Sequence, residues 1–137
     1  MMRAKFILVF AVLLGYGMFS FTVRNQQDDL FDTIASSLKS SNSTRLSKYF
    51  ADHIETGILS DERLYSKAQL KPIMDDFLSK HQVSSVKIIH RVESKPTHKL
   101  FIALMETNNG QFRATIIMNN VASRRLLITD MHIRKSN

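Results

Sequence analysis

From Ser84 to the end of the chain, apolar residues stop recurring at helical spacing and begin to alternate, and this change of period constrains the fold more than any other feature. Stretches at about 84–93, 98–107, 111–119 and 125–134 read as strands, broken at "SKPT", "NNG" and "NNVASR". Strands joined by such short turns lie beside one another in antiparallel fashion, so the C-terminal half is expected to be a four-stranded meander. A sheet of this kind needs cover for one face, and the preceding residues must supply it.

The preceding segment has helical spacing. Leu30, Phe31, Ile34, Ala35 and Leu38 place an apolar stripe on a helix over about 26–40, with Asp28, Asp29 and Asp32 near its positive N-terminal end. "SSNS" interrupts it, and Ser43 is suited to cap a short second helix, Thr44 to Phe50, with Leu46, Tyr49 and Phe50 inward. Asn42-Ser43-Thr44 also has the form of a glycosylation sequon, but helix initiation needs the same residues. "HIETGIL" alternates Ile54, Thr56 and Ile58 as a short strand ended by a Ser60-Asp61-Glu62 turn. Ser66 and Gln69 then form a capping box for a third helix, whose Ile73, Met74, Phe77 and Leu78 face inward up to about Lys80. Pro72 within it predicts a kink or a late start.

The first 24 residues are of different material. Arg3 and Lys5 precede the uncharged run "FILVFAVLLGYGMFSFTV", which reads as a cleaved secretory signal, with an uncleaved membrane anchor as the alternative. Residues 25–137 then form one domain, expected to be periplasmic or secreted, with membrane contact only through the N-terminal segment. At 44% hydrophobic and 23% charged residues, that length is enough for one packed core. The chain has no cysteine, which excludes disulfides, lipoprotein attachment, thiolate metal sites and thiol nucleophiles. Charge is divided unevenly: 25–82 carries 7 basic and 9 acidic residues, whereas 83–137 carries 9 basic and 3 acidic. That bias suits an acidic partner, but the scattered cations form neither a recognition helix nor an aromatic RNA-binding motif, so nucleic acid is not expected.

The element order helix, helix, strand, helix, four-strand meander resembles that of the cystatin-like α+β cone, the nuclear-transport-factor-two-like or ketosteroid-isomerase-like superfamily. "FDTIASSLKSSNSTRLSKYFADHIETGI", "YSKAQLKPIMDDFLSKH" with "VKIIH", and "NGQFRATIIM" are similar to a small exported bacterial subfamily, a domain of unknown function. The likeness covers about 26–134 and rests on element order and soft motifs, without a catalytic signature. It implies helices packed on a bent antiparallel sheet (α-α-β-α-β-β-β-β), a cone mouth able to hold a ligand, and dimerisation through the outer sheet face. Fold alone does not give function.

Candidate sites follow from the alternation. Tyr49, Asp52, His53 and Glu55 look like acid/base machinery, but helix end, turn and strand send their side chains apart. If Val86, Ile88, Val92, Leu127, Met131 and Ile133 face inward, the outer face collects Lys87, Ile89 and Arg91 with Ile128, Asp130, His132 and Arg134. Arg113, Thr115 and Ile117 join it, giving a basic surface set with isoleucines that has the mixture of an interface core with arginine anchors. Asp130 and His132 share that face but have no nucleophile beside them. His90 is expected inward, and Tyr49, Tyr65 and His90 are the polar groups placed to line a cone mouth. No cofactor or metal is implied, and the Met residues read as core filler. The resulting expectation is a non-enzymatic binding module, a homodimer candidate with an unidentified protein or small-molecule partner. The alternative is an isomerase-like pocket protein, binding a small molecule with or without weak catalysis.

Overall fold

Asp29–Lys39 winds into α1 because Phe31, Ile34, Ala35 and Leu38 fall on one face and are buried together; the computed structural model describes residues 29–121 and 125–136. The leader lies outside the described residues, among which no helix is long and apolar enough to cross a membrane. α1 closes with a left-handed residue, Ser41 (φ 54°), whose N–H bonds Leu38 O while the Asn42 N–H bonds Ser37 O. This is a Schellman ending, with serine where glycine is usual. α2 is little more than a single turn, Ser43–Ser47, and its cap is Asn42 rather than Ser43: Asn42 Oδ1 accepts from the Arg45 N–H at 3.0 Å. Ser43 is instead buried, its hydroxyl bonded to Asp75.

β1 begins at once (Phe50–Ile58), so Phe50 ends no helix and Asp52 and His53 lie on a strand instead of in a turn. β2 (Arg63–Ser66) pairs antiparallel with β1, with Ile54 opposite Tyr65. This strand was not expected: four residues with an exposed Leu64 carry no readable alternation. α3 (Lys67–Lys80) starts on the expected capping box, Gln69 N–H to Ser66 Oγ at 3.2 Å and Ser66 N–H to Gln69 Oε1 at 3.0 Å. It is continuous through Pro72, so the helix does not start late there, and it buries Leu70, Met74, Phe77 and Leu78.

The meander follows as β3 (Val83–Lys95), β4 (His98–Thr107), β5 (Gly110–Val121) and β6 (Arg125–Lys135). All six strands form one sheet in the order β2-β1-β6-β5-β4-β3. Among the described residues only the β1–β6 contact is parallel, and it joins the first described strand to the last. Helices cover one face. Phe31, Phe101, Met105, Ile116 and Met118 fill the space between the layers, with Phe31 and Phe101 ring centroids 4.6 Å apart.

Two bulges correct the expected facing of residues. On β3, Ile88 pairs with Ala103 and His90 with Ile102, leaving Ile89 as an extra residue. Beyond it the alternation inverts: Arg91 pairs with buried Phe101, and its guanidinium lies 5.4 Å above the Phe31 ring and 3.2 Å from Asp32. Arg91 is therefore on the helix-covered side, while Val92 and His90 face outward. On β6, Ile128 pairs with Met118 and Asp130 with Ile117, with Thr129 extra. Ile128 is consequently fully buried and Leu127 faces outward, the reverse of strict alternation.

Candidate functional site

The uncovered face of β3–β6 is a grid set by register. Leu100 lies between Val92 and Ile117, Ile102 between His90 and Thr115, and Leu104 between Lys87 and Arg113. On β6 the same rows continue as Asp130, His132 and Arg134. Val92, Leu100, Ile102, Leu104 and Ile117 are each half-buried, and Ile89 is 42% exposed beside them. The centre of the face is thus more apolar than alternation alone predicts, because Val92 has joined it and Arg91 has left.

Charge surrounds this centre, with Arg113 and Arg134 together at one end of β5 and β6. Lys87 and Lys95 lie on β3, while Asp130 faces Glu55 across the β6–β1 pair. His132 sits opposite Gly57, and its buried Nδ1 is 3.4 Å from Glu62 Oε1 without hydrogen-bond geometry. A Cβ on Gly57 would meet Ser60 O at 3.1 Å and Glu62 Cγ at 3.5 Å, so glycine is what lets the 59–62 turn fold against this face. Asp130 is held by a separate chain of bonds. Asn119 Nδ2 donates to Thr129 Oγ1 (2.7 Å), which donates to Asp130 Oδ2 (2.8 Å), and Asn119 Oδ1 lies 2.6 Å from His98 Nδ1. Asp130 is held by Thr129, the His132 Nδ1 lies near Glu62 without a hydrogen bond, and no bond joins Asp130 to His132. No three His, Asp or Glu side chains among the described residues converge as metal ligands.

The three expected pocket residues do not meet. Tyr65 is on edge strand β2, opposite buried Ile54, whereas His90 is outward-facing on β3 at the far edge of the sheet. Tyr49 borders a separate cleft of about 400 Å3 with Leu30, Pro96 and Leu126. Of the expected surface residues, the structure keeps Lys87, Arg113, Thr115, Ile117, Asp130, His132 and Arg134 on the outer face with Ile89 exposed at the bulge, and removes Arg91 and Ile128 from it.

A larger groove, about 770 Å3, opens where the β1–β2 turn, the end of α3 and the β4–β5 turn come together. Its floor is aromatic: His81 stacks on Phe77 with centroids 4.4 Å apart and meets Phe112 edge-on at 4.9 Å. Asp61 and Glu62 stand on one wall, Arg134 and Lys135 on another, and Leu59 at the rim. Leu59 is 49% exposed with φ 57°, an unusual backbone for a branched apolar residue. Sequence reasoning missed this groove because its lining comes from four segments with no shared motif.

A family profile described as "Domain of unknown function (DUF4783)" matches residues 31–134. The chain belongs to the DUF4783 family. Among solved structures, it is similar to a DUF4783 family protein from Bacteroides ovatus at 25% identity, with 77% of this chain and 94% of that one covered and a TM-score of 0.71. An NTF2-like protein of unknown function from Cytophaga hutchinsonii shares 13% identity over 85% of this chain and 95% of its own, with a TM-score of 0.57. A domain with a cystatin-like fold from Nostoc punctiforme shares 4% identity over 78% and 73%, with a TM-score of 0.62. No curated protein matches. The DUF4783 fold is therefore the α+β cone that the element order implied, with β2 as an additional edge strand.

Proposed function

We propose that this DUF4783 protein is an exported interaction module, not an enzyme, that pairs with a second copy of itself through the outer face of its sheet. The observation carrying this reading is the apolar centre Val92–Leu100–Ile117 with Ile102 and Leu104, bounded by cations on β3 and carboxylates on β1 and β6. A two-fold axis running along the strands sets the β3 side of one copy against the β1–β6 side of the other, so Lys95 of one copy lies one row from Glu55 and Asp130 of its partner. Five strands about 4.8 Å apart and four rows about 6.8 Å apart project roughly 650 Å2. That is of the order of the roughly 800 Å2 per partner in a standard interface. The basic start and uncharged run of the first 24 residues support export.

Sedimentation of the full chain at tens of micromolar tests the pairing. A dimer that becomes a monomer in Ile117→Glu is the expected result, and a monomeric parent rejects it. Cell fractionation tests export, with accumulation in the cytoplasm as the contrary result.

A further inference from the structure

Arg113 and Arg134 stand directly opposite one another across β5 and β6. Like charges so placed destabilise a sheet, yet neither has an acidic partner among the described residues. With Lys135 and Ser136 they enclose a small cleft of about 270 Å3, and Arg134 and Lys135 also line the 770 Å3 groove, so the two depressions meet at that pair. Between them the two clefts are lined by the cations Arg113, Arg134 and Lys135, by the Phe112 and His81 rings, by exposed Leu59, and by Asp61 and Glu62. The carboxyl end of α3 opens on the same groove through His81, adding the negative end of a helix dipole.

We propose that this composite groove binds a short peptide with free termini and an apolar side chain. Its C-terminal carboxylate lies in the Arg113–Arg134–Lys135 cleft, where guanidinium forks match a carboxylate. The side chain rests on Phe112, His81 and Leu59, and the terminal ammonium faces Asp61 and Glu62. The groove volume falls within the roughly 300–1,000 Å3 of small-molecule sites. The exposed left-handed Leu59 has the character of a residue held in place by its surroundings, here by its N–H bond to Ile133 O at 3.0 Å. The site meets the pairing surface at Arg113, Arg134 and Glu62, while the apolar centre around Ile117 lies outside it.

Titrating the isotope-labelled full chain with Leu-Leu tests the proposal by amide NMR. Saturable shifts confined to 59–62, 81, 109–113 and 134–136 are expected, with at least tenfold weaker binding of both Leu-Leu-amide and N-acetyl-Leu-Leu. Lys135→Gln should weaken Leu-Leu binding severalfold, while Ile117→Glu retains it, which separates failure here from failure of self-association. Absence of saturable shifts at about 10 mM peptide, weaker than any useful small-ligand affinity, overturns the proposal. So does equal binding of the free and capped peptides, or binding that Lys135→Gln leaves unchanged.

Discussion

Ile117 and Ile128 have the same chemistry and similar sequence surroundings, yet one is half-exposed on the outer face and the other fully buried. Truncation should separate them. Ile128→Ala leaves a cavity against Met118 and is expected to cost about 2–4 kcal/mol, whereas Ile117→Ala in the monomer should stay within about 1 kcal/mol; urea denaturation measures both. Gly57 belongs to the same scale. Its missing Cβ is the space that the Ser60 carbonyl approaches, and that turn is tethered by the Leu59 N–H bond to Ile133, so it cannot easily retreat. Gly57→Ala is therefore expected to destabilise by about 1–3 kcal/mol, the usual range for overpacking, with shifted Glu62 and His132 resonances. Neither contrast was readable in the sequence, because a side chain's facing depends on where the extra strand residue is placed.

At the scale of elements, the helices were the most readable parts. The α1 stripe and the Ser66–Gln69 box are local, and both formed as their spacing requires. The short cap at Asn42 and the four-residue β2 were less so, since neighbouring serine and asparagine compete for one role and β2 exists only by pairing with β1. The two bulges explain the remaining errors of facing. Because Ile89 is an extra residue between regular pairs, removing it leaves Ile88 opposite Ala103 and Arg91 opposite Phe101. That deletion is expected to keep a cooperative thermal transition. Removing Thr115 from the unbroken register of β5 puts either Phe112 and Ala114 or Ile116 and Met118 on the wrong face, and should abolish the transition.

For the whole molecule, the parallel β1–β6 contact is the decisive connection. It brings Glu55 and the 59–62 turn, from the acidic half of the chain, beside Asp130, His132 and Arg134. Carboxylates from the acidic half and cations from the basic half thus border one surface, and the proposed pairing would draw on charge as well as on apolar contact. If so, self-association should weaken as salt rises, since exposed charges are screened over about 10 Å at 0.1 M and about 3 Å at 1 M. Sedimentation at low and high salt measures this; an association strengthened by salt points to apolar contact alone. The same closure assembles the groove from the β1–β2 turn, α3 and the β5–β6 strands, with its apolar floor and charged walls.

The sequence by itself determined the helices, the four-strand meander and, through element order, the α+β cone, because hydrophobic period and cap chemistry act over a few residues. Only the tertiary structure decided the two bulges, the parallel closure of β1 on β6, and hence which face Arg91, His90 and Ile128 occupy. These depend on pairing between strands far apart in the chain, where one residue more or less reverses every side chain beyond it.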